Sequence, residues 1–247
     1  MSQWVLHGIL RGKKTTAYPA RPETAAGVSP GRPVADHYPV SALEALLARC
    51  PTRVFSSRDG QITADPRRCI HCYRCVRGLE PPVDWSNTYE WALAHEPRHE
   101  LGRAFRGSIH ICVVDAGDCG ACLNEVKQLN NPYYNLHRLG FFITPTPRHA
   151  DILLVVGPVT DQMRPALRKV YEAMPAPKRV VAVGACALSG GVFAGSFACA
   201  RGVAEVLPVD VQVPGNPAPP LAILHGLLVA TGRQVPAVGA GRKAVQA

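Results

Sequence analysis

No stretch of this chain reads as a membrane span, no nucleotide fingerprint is present, and aromatic residues make up only 6% of the 247 positions. Each absence excludes something. A spanning helix takes about 20 predominantly apolar residues, and the one candidate, Val180 to Ala200, carries no charge over 21 positions. Gly184, Gly190, Gly191, Gly195, Ser189 and Ser196 interrupt it, and its apolar residues are mostly Ala and Val. It reads as strand, loop and turn, so membrane association is expected only through partner subunits. Gly190-Gly191 is not part of a GxGxxG and no Walker sequence occurs, so no nucleotide is expected. Lys and Arg outnumber Asp and Glu 27 to 18, giving a formal charge of +9. Those cations are scattered over Arg11 to Arg32, Arg67 to Arg77 and Arg98 to Arg106, without the interleaved aromatics of single-strand binders. Nucleic acid is therefore not the expected partner; an acidic protein surface or anionic lipid suits the charge, as does an ordinary solvated surface. Met1 to Lys14 has neither a long apolar core nor a small-residue cleavage site, so a secretory leader is not expected and the cytoplasm is the expected compartment.

What the chain has is cysteine: nine, in short-spaced groups. In a reducing compartment such groups point to metal rather than to disulfides. Cys119 and Cys122 form a CxxC where the apolar run Ile109, Ile111, Val113, Val114 gives way to a helical segment. Two further apolar runs, Asp151 to Val156 and Arg179 to Val183, also end in loops, and the second leads at once into Gly184-Ala185-Cys186. In an open parallel sheet the carboxyl ends of the strands share one edge, so these loops converge and offer three thiols to a soft metal. Gly117, Gly120, Gly157, Gly184 and Gly191 are expected to bring backbone close to the bound group, with ordinary turn chemistry as the alternative. Glu125 is a candidate proton relay or, equally, a first-turn glutamate matched to the helix dipole.

A second group lies upstream. Cys50-Pro51 precedes Cys69 by 19 residues, and Cys69, Cys72 and Cys75 follow at three-residue steps. Bacterial-type ferredoxins carry two CxxCxxCxxxCP runs in which the fourth cysteine of each serves the other cluster. This sequence resembles one surviving ligand set of that pattern: Cys50, Cys69, Cys72 and Cys75 around a single 4Fe-4S cluster. A zinc knuckle, the alternative, usually pairs CxxC motifs or adds histidines. His71 is expected at the surface, or behind the ligands.

Five segments follow. Residues 1–39 form an extended arm; 40–83 a ferredoxin-like α+β domain with a helix from Val40 capped by Ser41 and a hairpin turning at Arg58-Asp59-Gly60; 84–107 a connector with Trp85 and Tyr89 on one helix face; 108–233 an α/β domain; and 234–247 a flexible tail. The alternation after Ser108 implies a parallel sheet flanked by helices. Strands are expected at Ser108 to Val114, Leu139 to Ile143, Asp151 to Val156, Arg179 to Val183 and Val206 to Val213, with helices from Leu123, Asp161 and Pro219.

The segment from about Ser108 to Gly232 resembles the small iron–sulfur subunit of membrane-bound group 4 NiFe hydrogenases and formate hydrogenlyases, related to the 20 kDa subunit of complex I. The residues that carry it are Cys119-Gly120-Ala121-Cys122 with Glu125, PRHADILLVVGPVT from Pro147, GACALSGGVFAGS from Gly184, and PVDVQVPG from Pro208. Leu10 to Pro19 is similar to the leading segment of the ferredoxin-type subunit of the same complexes. The resemblance implies a flavodoxin-like fold, a second iron–sulfur cluster (4Fe-4S or 3Fe-4S) on Cys119, Cys122 and Cys186, and electron transfer to or from a large catalytic subunit, with a quinone-reducing complex I-type role as the alternative. It also implies peripheral attachment to the inner face of the cell membrane through partners. Nickel would not be bound here, since paired CxxC motifs are lacking. One departure stands out: where the family has Pro-Gly-Cys-Pro, with its fourth ligand, this chain has Pro214-Gly215-Asn216-Pro217. Cys199, Cys112, Asn216 or a solvent oxygen could take that place, the centre could hold three irons, or the domain could be a structural adaptor without a cluster.

Overall fold

The computed structural model describes residues 3–35, 38–79, 82–94 and 107–237. In chain order it contains α1 (Gln3–Arg11), β1 (Arg32–Val34), α2 (Leu43–Arg49), β2 (Phe55–Arg58), β3 (Gln61–Ala64), β4 (Asp84–Ser86), β5 (Leu93–Ala94), β6 (Ile109–Asp115), α3 (Ala121–Gln128), β7 (Phe141–Ile143), β8 (Ile152–Val156), α4 (Met163–Ala173), β9 (Arg179–Val183), α5 (Ala185–Ser189), β10 (Val211–Val213) and α6 (Pro220–Ala230).

Six strands form one sheet in the order β5-β10-β9-β8-β6-β7. The five from β6 onward are parallel, and β5 joins β10 antiparallel. Numbered from β6, the parallel strands run 2-1-3-4-5, the flavodoxin-like order, whose ligand crevice lies where the strand order reverses, beyond the carboxyl ends of β6 and β8. β8 and β9 are buried at every residue, as strands covered on both faces must be, which explains their unbroken Val, Ile and Leu runs. One face packs α3 and α6 through Val126, Leu129, Leu221 and Leu224. The other packs Leu167 of α4 with Cys112, Val203 and Leu207.

All of α6 is buried. A helix apolar all round needs cover on its outer side too, and Tyr18, Tyr89 and Trp91 belong to the same core. The N-terminal arm is thus a strap across the large domain: the Thr16 N–H donates to Tyr133 O at 2.9 Å, and Tyr18 meets Tyr89 edge-on at 5.2 Å. It is not uniformly extended, since α1 is helical with nothing buried and β1 pairs with β4. The connector also differs from expectation. Trp85 lies in a strand, not on a helix face with Tyr89, and β5 completes the large sheet. Trp85 and Leu93 there found sheet partners that helical spacing cannot reveal. Residues 80–81, the rest of the connector at 95–106 with its basic cluster, and the tail from 238 lie outside the described residues. Among the described residues no helix is long and apolar enough to cross a membrane.

His225 sits inside α6, its Nδ1 accepting from the Ala92 N–H at 3.2 Å and its Nε2 facing Val235 O at 3.1 Å. Burial holds its pKa below 6.5, against the Val235 bond and the charge of Glu90, which both favour the cation. The neutral ring is the folded form, so its stabilisation is complete above pH 6.5 and is lost as pH falls through the depressed value. Thermal denaturation should show Tm dropping below about pH 6.5, with a flatter profile for His225→Gln; parallel profiles would contradict this.

The smaller unit has its own core of Ala35, Leu46, Val54, Phe55, Ile62, Cys69 and Val83. β2 and β3 form the expected hairpin, turning through Asp59 and Gly60, both at positive φ as a type I′ turn requires. Ser41 lies inside a 3-10 turn over Val40–Ala42 and does not cap α2.

Candidate metal centres

The first cysteine set belongs to the small core itself. Cys50, Cys69, Cys72 and Cys75 line one open pocket together with Val54, Phe55, Ile70 and Trp85. Cys50 follows α2, whose neighbour Arg49 reaches across to the carbonyls of Arg74 and Arg77 at 3.2 and 2.6 Å and so ties the two halves of the set together. Backbone N–H groups face the sulfurs: Val54 N donates to Cys50 Sγ at 3.3 Å, and the His71 N–H is directed at Cys69. Burial pushes the Cys69 thiol up to about 12 and Cys75 up to about 11. Such thiols stay protonated at neutral pH until a bound cation takes the charge. Among the described residues no three His, Cys, Asp or Glu side chains close on a point fit for a single ion. An apolar pocket ringed by four thiols, with N–H donors aimed at sulfur, fits a cluster, whose ligands are spread around a body larger than one ion.

His71 is half-buried. Its ring lies between Trp85 and Trp91 at 6.1 and 6.3 Å, its Nδ1 has no hydrogen-bond partner, and burial pushes its pKa down to about 4.

The second set forms on the carboxyl edge of the sheet. After β6, Asp115 accepts from the N–H groups of Gly117 and Asp118 at 2.9 and 2.6 Å; Asp118 in turn accepts from Gly120 and Leu123 at 3.0 and 3.1 Å. The two carboxylates shape the loop carrying Cys119 and start α3. Cys119 is exposed, whereas Cys122 and Cys186 are buried, so the loop does not present both of its thiols outward. Burial pushes Cys122 up to about 12 and raises Cys186; the Ala218 N–H faces the former and the Val192 N–H the latter.

Two glycines make room for sulfur. A Cβ at Gly184 would stand 2.5 Å from Cys122 Sγ, and one at Gly191 2.8 Å from Cys186 Sγ, each at a positive φ. Only glycine meets both demands. Gly117 and Gly157 pack loop on loop, against Thr160 and Asp118, while Gly120 faces open space. The N–H groups that meet sulfur come from other residues.

Residues 119–230 match the family model of the NADH ubiquinone oxidoreductase, 20 Kd subunit. A Methanocaldococcus jannaschii protein, MJ0516, is 46% identical over 121 residues, which are 49% of this chain and 81% of that protein. The chain belongs to the 20 Kd subunit family. Similar solved structures include a chain of the membrane-bound sulfane sulfur reductase, an archaeal respiratory membrane complex (29% identity, TM-score 0.48, 52% of this chain and 71% of that one). Another is a chain of the NAD+-reducing NiFe hydrogenase in its H2-reduced state (22% identity, TM-score 0.42, 53% and 96%).

The family assignment covers the second cysteine set from Cys119 onward, and the candidates for its fourth member separate cleanly. Cys112 is in the middle of β6, paired with Leu153 and buried in the core on the α4 face, while Cys122 belongs to the opposite core. It does not reach the set. Asn216 follows β10, but its Nδ2 donates to Ile70 O of the small domain at 3.1 Å. The backbone of Cys199 forms an antiparallel β-bridge with Thr160, the residue on which Gly117 packs, and its thiol is the smallest of the influences that raise Cys186. Glu125, one turn along α3, is half-buried, and burial raises its carboxyl.

Sequence reasoning missed that Ser189 and Asn216 join the two sets. Ser189 Oγ shares its one proton between Ala185 O in its own helix at 3.0 Å and Arg67 O at 3.1 Å, beside the Asn216 bond to Ile70. Both small-domain acceptors flank Cys69. The one signal in the sequence was asparagine at a position where the resemblance leads to the expectation of cysteine.

Proposed function

We propose that this chain is an electron-relay subunit of a complex I-related oxidoreductase assembly, active only within that complex. The ferredoxin-like domain, joined to the 20 Kd-type domain in one polypeptide, would hold one 4Fe-4S cluster on Cys50, Cys69, Cys72 and Cys75. The α/β domain would hold a second iron–sulfur cluster on Cys119, Cys122 and Cys186, with Cys199 as fourth ligand. When bound, such clusters take up and give back single electrons at potentials tuned by their surroundings.

The observation that carries the reading is the meeting of the two cysteine-bearing loops, Asn216 on Ile70 and Ser189 on Arg67. An adaptor that had lost its metal would need no thiols buried beside N–H groups at such a junction. The protein's residues have separable tasks. Val54, Phe55 and Trp85 exclude water from the first pocket; the N–H groups of Val54, His71, Val192 and Ala218 favour the charged form of sulfur. Val192, Phe193 and the fully exposed Phe197 stand on the loop between Cys186 and Cys199, an apolar surface suited to a large catalytic subunit. Attachment to the cytoplasmic membrane face would come through that subunit and its neighbours, and Glu125 would serve proton movement there.

Anaerobic purification followed by iron and sulfide analysis tests the proposal. About eight irons per chain supports two four-iron clusters, about seven a three-iron second centre, and about four the adaptor; a colourless chain ends the relay reading. Phe197→Asp should release the large subunit in co-purification while leaving the iron in place, and undiminished co-purification would remove this face from the interface.

A further inference from the structure

Asn216 stands where its family has a ligand for the second site, yet its side chain is turned to the first. Because its partner is the Ile70 carbonyl, the amide nitrogen must face it, at 3.1 Å. Ile70 lies between Cys69 and Cys72. Its carbonyl belongs to the same peptide unit as the His71 N–H, and that N–H is directed at Cys69 sulfur. One peptide plane therefore accepts a hydrogen bond from the large domain at one end and turns its N–H towards a first-site sulfur at the other. Hydrogen bonds in series polarise one another, by about 10–30% per bond, and do so most effectively away from water. Cys69 is among the buried residues of the small core. The plane is also held: His71 has a φ of 51°, and its ring is fixed between Trp85 and Trp91.

We propose that Asn216 is a positioning residue for the first site. By polarising and holding the Ile70–His71 peptide it strengthens the N–H bond onto Cys69 and raises the reduction potential of the cluster there. Hydrogen bonds to sulfur favour the more negative, reduced state. The potential of the small-domain cluster thereby depends on the docking of the two domains. The inference rests on Cys50, Cys69, Cys72 and Cys75 holding a cluster.

A redox titration of the full-length chain, followed by electron paramagnetic resonance with iron measured on each sample, tests it. Asn216→Ala removes the donor and should shift the one-electron equilibrium of the first cluster about threefold towards the oxidised state, ~28 mV lower at 59 mV per tenfold. Asn216→Asp, which sets a carboxylate against the Ile70 carbonyl, should lower it further. Ser189→Ala removes the neighbouring interdomain bond without touching the Ile70–His71 peptide and should leave the potential where it was. An unchanged potential in an iron-replete Asn216→Ala chain overturns the inference, as does an equal shift in Ser189→Ala. Loss of first-site iron from Asn216→Ala also counts against it, because a tuning bond is not needed for assembly. A wild-type chain without first-site iron defeats instead the reading on which it rests.

Discussion

Cys69→Ser should halve the iron content, from about eight per chain to about four, and unfold the small domain while the large one stays intact. The reason is size. The small core has seven buried residues, one of them Cys69 itself, and domains of this length rarely hold together without a metal or disulfide staple. Metal binding in such units is folding energy, because the ligand set does not persist in the unfolded chain. Cys69 is both a core side chain and a ligand, and its thiol reaches neutral pH protonated unless a cation is present. Hydrogen exchange should show the amides paired between β2 and β3 losing protection in the variant, while those of β8 and β9 keep theirs. Full iron content with native protection in β3 would show that the small domain stands without its cluster.

Cys199→Ser and Cys112→Ser should part company. The first is expected to lower the iron by about one per chain, leaving a three-iron centre, or by about four if the second site collapses. The second should keep all of its iron. Cys112 lies under α4, paired with Leu153, so its replacement places a hydroxyl in an apolar core and costs about 1–3 kcal/mol of stability. Iron analysis alone distinguishes the two. A Cys199→Ser chain with undiminished iron would return the fourth position to Asn216 or a solvent oxygen.

The large domain was readable because its strands are buried on both faces. Ile152 to Val156 and Arg179 to Val183 are short apolar runs followed by glycine, and such runs have little other use in a chain with helices between them. β10 was overextended in the sequence reading, since Val206 and Val209 are apolar but lie in the approach to the strand, filling the core on the α4 face. The hairpin of the small domain was legible from Asp59-Gly60, whose positive φ values few other pairs tolerate. The connector was not. Its aromatics have helical spacing, yet Trp85 pairs in a strand with Pro33, more than fifty residues away, and no local pattern encodes a partner at that distance. The surroundings of His71 were hidden for the same reason: nothing near it in sequence announces the two tryptophans beside its ring.

Which cysteines group together, which strands carry them and which glycines flank them were properties of the sequence alone, because ligand spacing, strand burial and backbone freedom are local matters. Tertiary structure alone decided that Cys112 faces the wrong core, that the backbone of Cys199 comes to rest against Thr160, and that Asn216 reaches into the other domain. Those outcomes depend on where loops separated by dozens of residues come to rest once the sheet is packed on both faces, and a side chain's direction at a strand end is set by that packing rather than by its neighbours in the chain.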